Sequence, residues 1–260
     1  MAPQKSPSLH PIEASALQAR RERVFLVLAG LFIGAMAMLN IIGITRFIRI
    51  GPLTLPVGVL PYPLTFLCTD LIGELYGRRR ALAVVWVGLL VNGLILFTLW
   101  LGQALDPVAL AEQPPWQVLK LSEPVFLPDG SVMAEQAELF TLIYACTAGA
   151  VLASMAAYLA AQFCDVYLFD FWKRVTRGRH LWLRNNGSTL VSQLVDATVV
   201  IALTFGASYM RGERTLAQLL LLVASNYAFK FVVALLDTGP FYAGVLVLSR
   251  YLQIEPESQA

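Results

Sequence analysis

Six ionisable side chains lie within or at the ends of long apolar stretches, namely Asp70, Glu74, Asp165, Asp196, Lys230 and Asp237. The same stretches contain five amides, which are Asn40, Asn92, Gln162, Gln193 and Asn226. If such a stretch crosses a membrane, an ionised side chain at its centre costs about 2.5–3.5 kcal/mol or more unless it is paired or hydrated. Each of these groups is therefore predicted either to bind a ligand or to pair with a polar group on another helix.

The spacing Q-x-x-D occurs twice, at Gln162 with Asp165 and at Gln193 with Asp196. Residues three apart in a helix share one face, so each amide lies one turn from its carboxylate. A carboxylate accepts hydrogen bonds, and an amide both donates and accepts them. Together they match the edge of a guanine-like or pterin-like heterocycle, which has adjacent N–H donors and a carbonyl acceptor. For Asp165 the alternative is a solvated position at the membrane surface.

Lys230 and Asp237 lie seven residues apart, which is two helical turns along one face. Lys230 is predicted to pair with Asp237, Asp70 or Asp196, or else to contact a substrate. Asp70 and Glu74 are four apart and share a helix face, although Glu74 could equally be solvated at the membrane surface. Aromatic rings that could stack on a planar base include Tyr62, Phe66, Tyr76, Tyr158, Trp182 and Tyr227. The alternative for each of them is packing against lipid or anchoring at the membrane interface.

The composition indicates an integral membrane protein. Of the 260 residues, 57% are hydrophobic and 14% are charged, whereas soluble domains have about 25% charged residues. The mean hydropathy is +0.65. Too few polar side chains remain to cover a soluble domain. Neither the three cysteines nor the two histidines have metal-type spacing, and the net charge of +2 gives no reason to expect a nucleic-acid partner.

Apolar runs and loops predict an all-α fold of about six transmembrane helices, because a span needs roughly 20 apolar residues. We interpret residues 24–45 as a retained first span, since this run is too long for a signal-peptide core. The later candidate segments are 53–76, 81–101, 139–163, 188–210 and 216–248. The predicted units are a flexible polar tail (1–23), a helical domain (24–250) with an acidic loop (102–138), and a C-terminal tail (251–260).

Two of these segments contain helix breakers. Pro56, Pro61 and Pro63 forbid a regular helix at the start of segment 53–76, so we expect an irregular or re-entrant start followed by a short helix from about residue 63 to 77. Irregular backbone at membrane depth survives only inside protein or beside a watery cavity, and it therefore indicates a binding site. An ordinary proline-kinked helix is the alternative. Gly239-Pro240 leaves segment 216–248 as either one kinked helix or two pieces.

The basic residues predict the orientation of the chain. Most of the 19 Lys and Arg residues fall in the tails and in the loops at 78–80 and 173–184, whereas loop 102–138 contains Lys120 and six acidic residues. Because Lys and Arg accumulate in cytoplasmic loops, we expect a multi-pass protein of the cytoplasmic membrane with both termini in the cytoplasm and the acidic loop outside.

Over residues 24–250 the chain resembles the queuosine precursor transporter family, which is also known as the vitamin-uptake-like family. The resemblance is carried by four ordered blocks: PLTFLCTDLIGELYGRRRA (63–81), AAYLAAQFCDVYLFDFWKR (156–174), LWLRNNGSTLVSQLVDA (181–197) and NYAFKFVVALLDTGPFY (226–242). It implies import of 7-deazaguanine bases, the precursors of queuosine in tRNA. It also implies a six-helix fold similar to the substrate-binding components of energy-coupling-factor importers.

The polar positions that match the family are Asp70, Glu74, Gln162, Asp165, Asn186, Ser188, Gln193, Asp196, Lys230 and Asp237. From these we predict a substrate-binding set made of Asp70, Gln162, Asp165, Asn186, Gln193, Asp196, Lys230 and Asp237. The implied partners are a small deazapurine base and the lipid bilayer, with no metal, cofactor or nucleic acid. A homo-oligomer and a separate energy-coupling module both stay open, since no P-loop sequence G-x-x-x-x-G-K-[ST] occurs in the chain.

Three alternatives to this function stay open from the sequence. One is transport of another purine-, pterin- or vitamin-like molecule. Another is an intramembrane aspartyl enzyme in which two of the buried carboxylates share a proton. The third is a scaffold whose polar residues only hold helices together. The polar residues favour a transporter over an enzyme.

Overall fold

The computed structural model describes residues 11–109, 112–127, 130–176 and 181–254. Its helices in chain order are α1 (Pro11–Ile41), α2 (Tyr62–Tyr76), α3 (Arg78–Ala104), α4 (Leu139–Val175), α5 (Leu181–Met210) and α6 (Leu216–Leu252). Among the described residues, five helices are long and apolar enough to cross a membrane. Helix α2, with 15 residues, is shorter than the roughly 20 that a span requires. The predicted all-α architecture is confirmed.

The connections between helices contain short antiparallel strands. These are β1 (Phe47–Ile50), β2 (Leu53–Pro56), β3 (Val118–Lys120), β4 (Val125–Phe126), β5 (Val132–Met133) and β6 (Gln136–Glu138). Strand β1 pairs with β2. In the acidic loop, the β4–β5 pair is nested within the β3–β6 pair. The loop therefore has regular structure of its own.

The chain between α1 and α2 is irregular, as its prolines predict. Strand β2 leads into a single 3-10 turn at Val57–Val59, and α2 then begins at Tyr62 with Pro63 in its first turn, where a missing N–H costs nothing. Gly58 lies against the end of α1, and its N–H donates to the carbonyl of Gly43 at 3.1 Å. A Cβ on Gly58 would lie 2.7 Å from the carbonyl oxygen of Leu39. Glycine therefore allows the irregular backbone to pack inside the protein.

Helix α1 starts before the predicted span. It begins at Pro11, so residues 11–23 form helix where we expected a flexible tail. Proline is favoured at the first helical position, and the following residues include strong helix formers and no further glycine or proline. Hydrophobicity marks the part of a helix that enters lipid, and it does not mark where the helix itself ends.

Helices α4 and α5 extend beyond their predicted limits of 163 and 188 for the same reason. Their apolar portions are Leu139–Ala161 and Leu190–Met210, while the helices continue to Val175 and start at Leu181. The two helices make the most extensive helix–helix contact in the described chain.

Helix α6 is continuous through Gly239-Pro240, which decides between the two arrangements that the sequence left open. Pro240 cannot donate to the carbonyl of Leu236, yet the helix resumes its pattern beyond it. The start of α6 is fixed by a capping box in which Thr215 and Gln218 bond reciprocally, side chain to backbone, at 2.8 and 3.3 Å.

Short helix α2 packs against α1, α3 and α6. Its buried residues Cys68, Leu71 and Ile72 form a core with Phe32 of α1 and Val84 of α3. The shortest helix therefore packs against three longer ones.

One end of the bundle is held by Arg21 of α1. Its guanidinium donates to the carbonyls of Leu252 and Gln253 at 3.1 and 2.9 Å, where the last carbonyls of α6 have no helical donor. Tyr76 of α2 donates to the Arg21 carbonyl at 2.8 Å. These bonds join α1, α2 and α6 at the predicted cytoplasmic end.

Candidate functional site

A cavity of about 320 Å³ lies between the six helices, and every helix contributes to its wall. Its polar lining residues are Asn40 (α1), Tyr62, Thr65 and Thr69 (α2), Asn92 (α3), Ser154 and Tyr158 (α4), Thr204 and Asp196 (α5), and Asn226 and Lys230 (α6). Pockets that bind small molecules span roughly 300–1,000 Å³. The cavity therefore has room for one small molecule, and apolar side chains form most of the remaining wall.

The charged groups of the cavity are Asp196 and Lys230, which form a salt bridge between α5 and α6. Lys230 is buried, with 8% of its side chain exposed, and Asp196 is 22% exposed. A buried ammonium group needs an opposite charge, because removing it from water costs several kcal/mol. The carboxylate of Asp196 meets that requirement, and the pair is neutral overall.

Tyr62, in the first turn of α2, connects this pair to an aromatic surface. The Lys230 ammonium lies 4.8 Å from the centroid of the Tyr62 ring, within the range of a cation–π interaction. The Tyr62 hydroxyl donates to Oε1 of Gln193 at 3.4 Å. Phe66, one turn further along α2, meets the Tyr62 ring edge to face at a centroid distance of 4.5 Å. The prolines that precede α2 thus set the position of a ring beside the charged pair.

Two amide groups of the cavity wall have unused hydrogen-bonding capacity. Asn40 donates to Oδ1 of Asn92 at 3.0 Å and to the Met36 carbonyl at 3.1 Å. Nδ2 of Asn92 and Oδ1 of Asn226 are buried and have no partner among the described residues. Buried polar atoms are nearly always satisfied. The wall of the cavity therefore contains one donor and one acceptor that have no partner among the described residues.

Residues 56–244 match the family model described as "Putative vitamin uptake transporter". The chain belongs to this transporter family. It is accordingly a multi-pass membrane transporter and not an enzyme. A protein of Bacillus subtilis (strain 168) named "Probable queuosine precursor transporter" is 28% identical over 217 residues, which cover 82% of each chain. No solved structure matches the chain.

Three of the predicted site residues come together in this transporter. Asp196 and Lys230 line the cavity, and Gln193 reaches it through its hydrogen bond from Tyr62. The Lys230 partner is Asp196 and not Asp237, because two helical turns separate Lys230 from Asp237 by about 10 Å.

Asp70 and Asp237 are not part of the cavity lining. Asp70 is exposed, and Oδ2 of Asp237 is buried without a hydrogen-bond partner in the part of the chain that the structure describes. Glu74 is exposed, one turn beyond Asp70 on α2. Neither Asp70 nor Asp237 lines this cavity, and their predicted contact with substrate stays a prediction.

The remaining predicted site residues are Gln162, Asp165 and Asn186. They belong to helices α4 and α5, but their side chains lie outside the described residues. Their predicted role in substrate binding stays a prediction.

Several cavity residues were absent from the predicted site. The sequence identifies three amides within spans, Asn40, Asn92 and Asn226, but does not assign them to the site. It identifies Tyr62 only as a ring that could stack on a planar base. The signal for the three asparagines is a short amide alone in an apolar helix, which is costly in lipid unless it faces a partner or a ligand. In the described residues, no group of three or more His, Cys, Asp or Glu side chains could hold a metal ion.

Proposed function

We propose that this transporter imports 7-deazaguanine bases, the precursors of queuosine, across the cytoplasmic membrane, with both termini in the cytoplasm. The observation that carries the proposal is the cavity between the six helices, whose wall contains the Asp196–Lys230 pair together with an amide donor and a carbonyl acceptor that have no partner among the described residues. The name of the Bacillus subtilis relative, "Probable queuosine precursor transporter", supports the substrate class.

The polar groups of the cavity complement a deazaguanine edge. Such a base has an N–H and an exocyclic amine that donate, and a carbonyl that accepts. We infer that Asp196 accepts from these donors while Nδ2 of Asn92 donates to the carbonyl and Oδ1 of Asn226 accepts from a further N–H. A base that enters without such partners would lose several kcal/mol of hydration.

The Tyr62 and Phe66 rings provide a surface for the flat face of the base. Lys230 would hold the Asp196 carboxylate in position at the cavity wall. Gln162, Asp165 and Asn186 are proposed to complete the contacts to the base, while Asp70 and Asp237 would act outside the cavity, in charge balance or proton coupling.

The second candidate is transport of another purine, a pterin or a vitamin-like heterocycle. It is favoured by the same donors and acceptors, because several planar heterocycles present a similar edge. The chain would work as a facilitator, as a proton-coupled carrier or with a separate energy-coupling module.

The test is uptake by bacteria that cannot synthesise deazaguanines and lack their own importer. Each precursor is supplied separately at low concentration, and queuosine in tRNA is detected by boronate-gel mobility. We expect the chain to restore queuosine. Absence of queuosine, with the protein in the membrane and the salvage enzymes active, would reject the deazaguanine substrate and favour the second candidate.

Asn226→Ala tests recognition within the same assay. Loss of a buried hydrogen-bond partner costs about 1–3 kcal/mol, so we expect the concentration that gives half-maximal uptake to rise about 5- to 150-fold. The matched control is Ser225→Ala, since Ser225 is buried beside Asn226 but does not line the cavity. Equal effects of both substitutions at equal membrane abundance would assign Asn226 to helix packing.

A further inference from the structure

A second space of about 440 Å³ lies at the end of the bundle where α5 gives way to α6. Its walls come from Phe47 of β1, from Phe126 and Leu127 of the acidic loop, and from Ser208, Arg214 and Gln218 around the α5–α6 connection. We call it the vestibule. By the predicted orientation it opens on the outer side of the membrane.

Only a thin layer of side chains separates the vestibule from the central cavity. Phe205 of α5 and Ile44, just after α1, line both spaces. Phe205 is buried, with 6% of its surface exposed. A molecule in the vestibule would therefore be one aromatic ring away from the cavity that contains Asp196.

The vestibule presents planar surfaces to a ligand. The Arg214 guanidinium lies 4.9 Å from the Phe205 ring centroid and 5.8 Å from that of Phe47. The planes of the Phe47 and Phe205 rings are tilted relative to each other, and their centroids lie 5.9 Å apart. Planar guanidinium and phenyl groups stack on many different heterocyclic bases, because every such base has a π face.

Polar groups surround this stack. Glu213 accepts hydrogen bonds from Arg211, and that contact lowers the pKa of the Glu213 carboxyl, which is ionised at neutral pH. Ser208 and Gln218 contribute a hydroxyl and an amide. Leu127 of the acidic loop is buried and lines the vestibule, so the loop encloses one side of it.

We propose that the vestibule is a second binding site, where a planar heteroaromatic base stacks against Arg214, Phe47 and Phe205 before it passes Phe205 into the central cavity. The identity of the base as a 7-deazaguanine rests on the proposed function. The existence of the site rests on the vestibule itself.

The test measures ligand protection of a cysteine in the vestibule. Cys68, Cys146 and Cys164 are replaced by alanine, uptake by the cysteine-free chain is verified, and Ser208→Cys is added. The protein is placed in lipid nanodiscs, and its modification by a charged methanethiosulfonate is timed with and without 7-deazaguanine, guanine or pterin. Ser122→Cys, at an exposed position of the acidic loop that does not line the vestibule, is the control.

We expect at least one base, present at a few times its dissociation constant, to slow modification of Ser208→Cys about threefold. Modification of Ser122→Cys should not change. Protection should persist when Asp196→Asn disables the central cavity. It should disappear in Arg214→Gln and also in Arg214→Lys, because lysine retains the charge but not the planar group that stacks.

Protection by none of the three bases, or protection that vanishes with Asp196→Asn, would overturn the vestibule site. Protection by guanine or pterin, without uptake of 7-deazaguanine, would retain the vestibule and reject the proposed substrate. If the cysteine replacements prevent folding, Arg214→Lys and Arg214→Gln are compared in the native chain. Uptake at low base concentration should then fall about tenfold in both, and unchanged uptake would overturn the site.

Discussion

Asp196 and Lys230 place two opposite charges of α5 and α6 together at the wall of the cavity. Each would be an uncompensated charge without the other, and together they form a neutral pair at the wall of the cavity. Breaking a buried pair costs about 3–5 kcal/mol, whereas removing both charges is often nearly neutral. Stability and function can therefore be separated experimentally at this pair.

We expect Asp196→Asn and Lys230→Met each to destabilise the solubilised protein. The loss in free energy of unfolding should be somewhat less than the roughly 3–5 kcal/mol of a fully buried pair, because Asp196 is partly exposed. The double variant should recover most of the stability but not uptake. Fluorescence-detected size-exclusion chromatography after heating measures the first property, and queuosine formation measures the second. A double variant that transports normally would limit the pair to a structural role.

At the scale of elements, the bundle is joined where helix ends leave carbonyls without donors. Arg21 of α1 donates to two carbonyls at the end of α6, and Tyr76 of α2 donates to the Arg21 carbonyl. Arg20, one residue earlier, lies over the Tyr251 ring at 5.7 Å. The adjacent arginines thus make different contacts with the same part of the chain.

Arg21→Ala should destabilise the protein by about 1–2 kcal/mol. Hydrogen bonds from a charged group contribute about 1.5–3 kcal/mol, and the bond from Arg21 to the Gln253 carbonyl is exposed, which weakens it. Arg20→Ala should cost less than about 1 kcal/mol, as expected for an exposed cation–π contact. Heating the solubilised variants in parallel compares them. If both lose stability equally, the contribution comes from general charge at this end and not from the α6 carbonyls.

For the whole molecule, the uneven distribution of basic residues predicts which end faces the cytoplasm. The vestibule and the acidic loop lie at one end, and the contacts of Arg21 lie at the other. In the predicted orientation, this arrangement would admit substrate from outside.

The orientation is tested with Ser122→Cys in the acidic loop and Ala14→Cys near the start of α1, both in the cysteine-free chain. An impermeant maleimide should label Ser122→Cys in intact cells and label Ala14→Cys only after permeabilisation. Both side chains are exposed, so access depends on the membrane alone. The reverse pattern would invert the topology and place the vestibule in the cytoplasm.

The sequence by itself determined the class of protein, the approximate position of each helix and the break before α2. These properties depend on local chemistry, because hydrophobic length, proline geometry and charge act on neighbouring residues. Helix ends were less well predicted, as with the start of α1 at Pro11, since hydrophobicity records contact with lipid and not backbone conformation.

Only the tertiary structure decided which polar groups meet. Lys230 had three candidate partners, one each on α2, α5 and α6. In the folded bundle it pairs with Asp196 of α5, 34 residues away. Asn40 and Asn92 bond across 52 residues, and Asp237, which shares a helix with Lys230, is excluded by two turns of helical rise. Such pairings depend on how helices cross and rotate against each other, and the spacing of residues within any one helix does not contain that information.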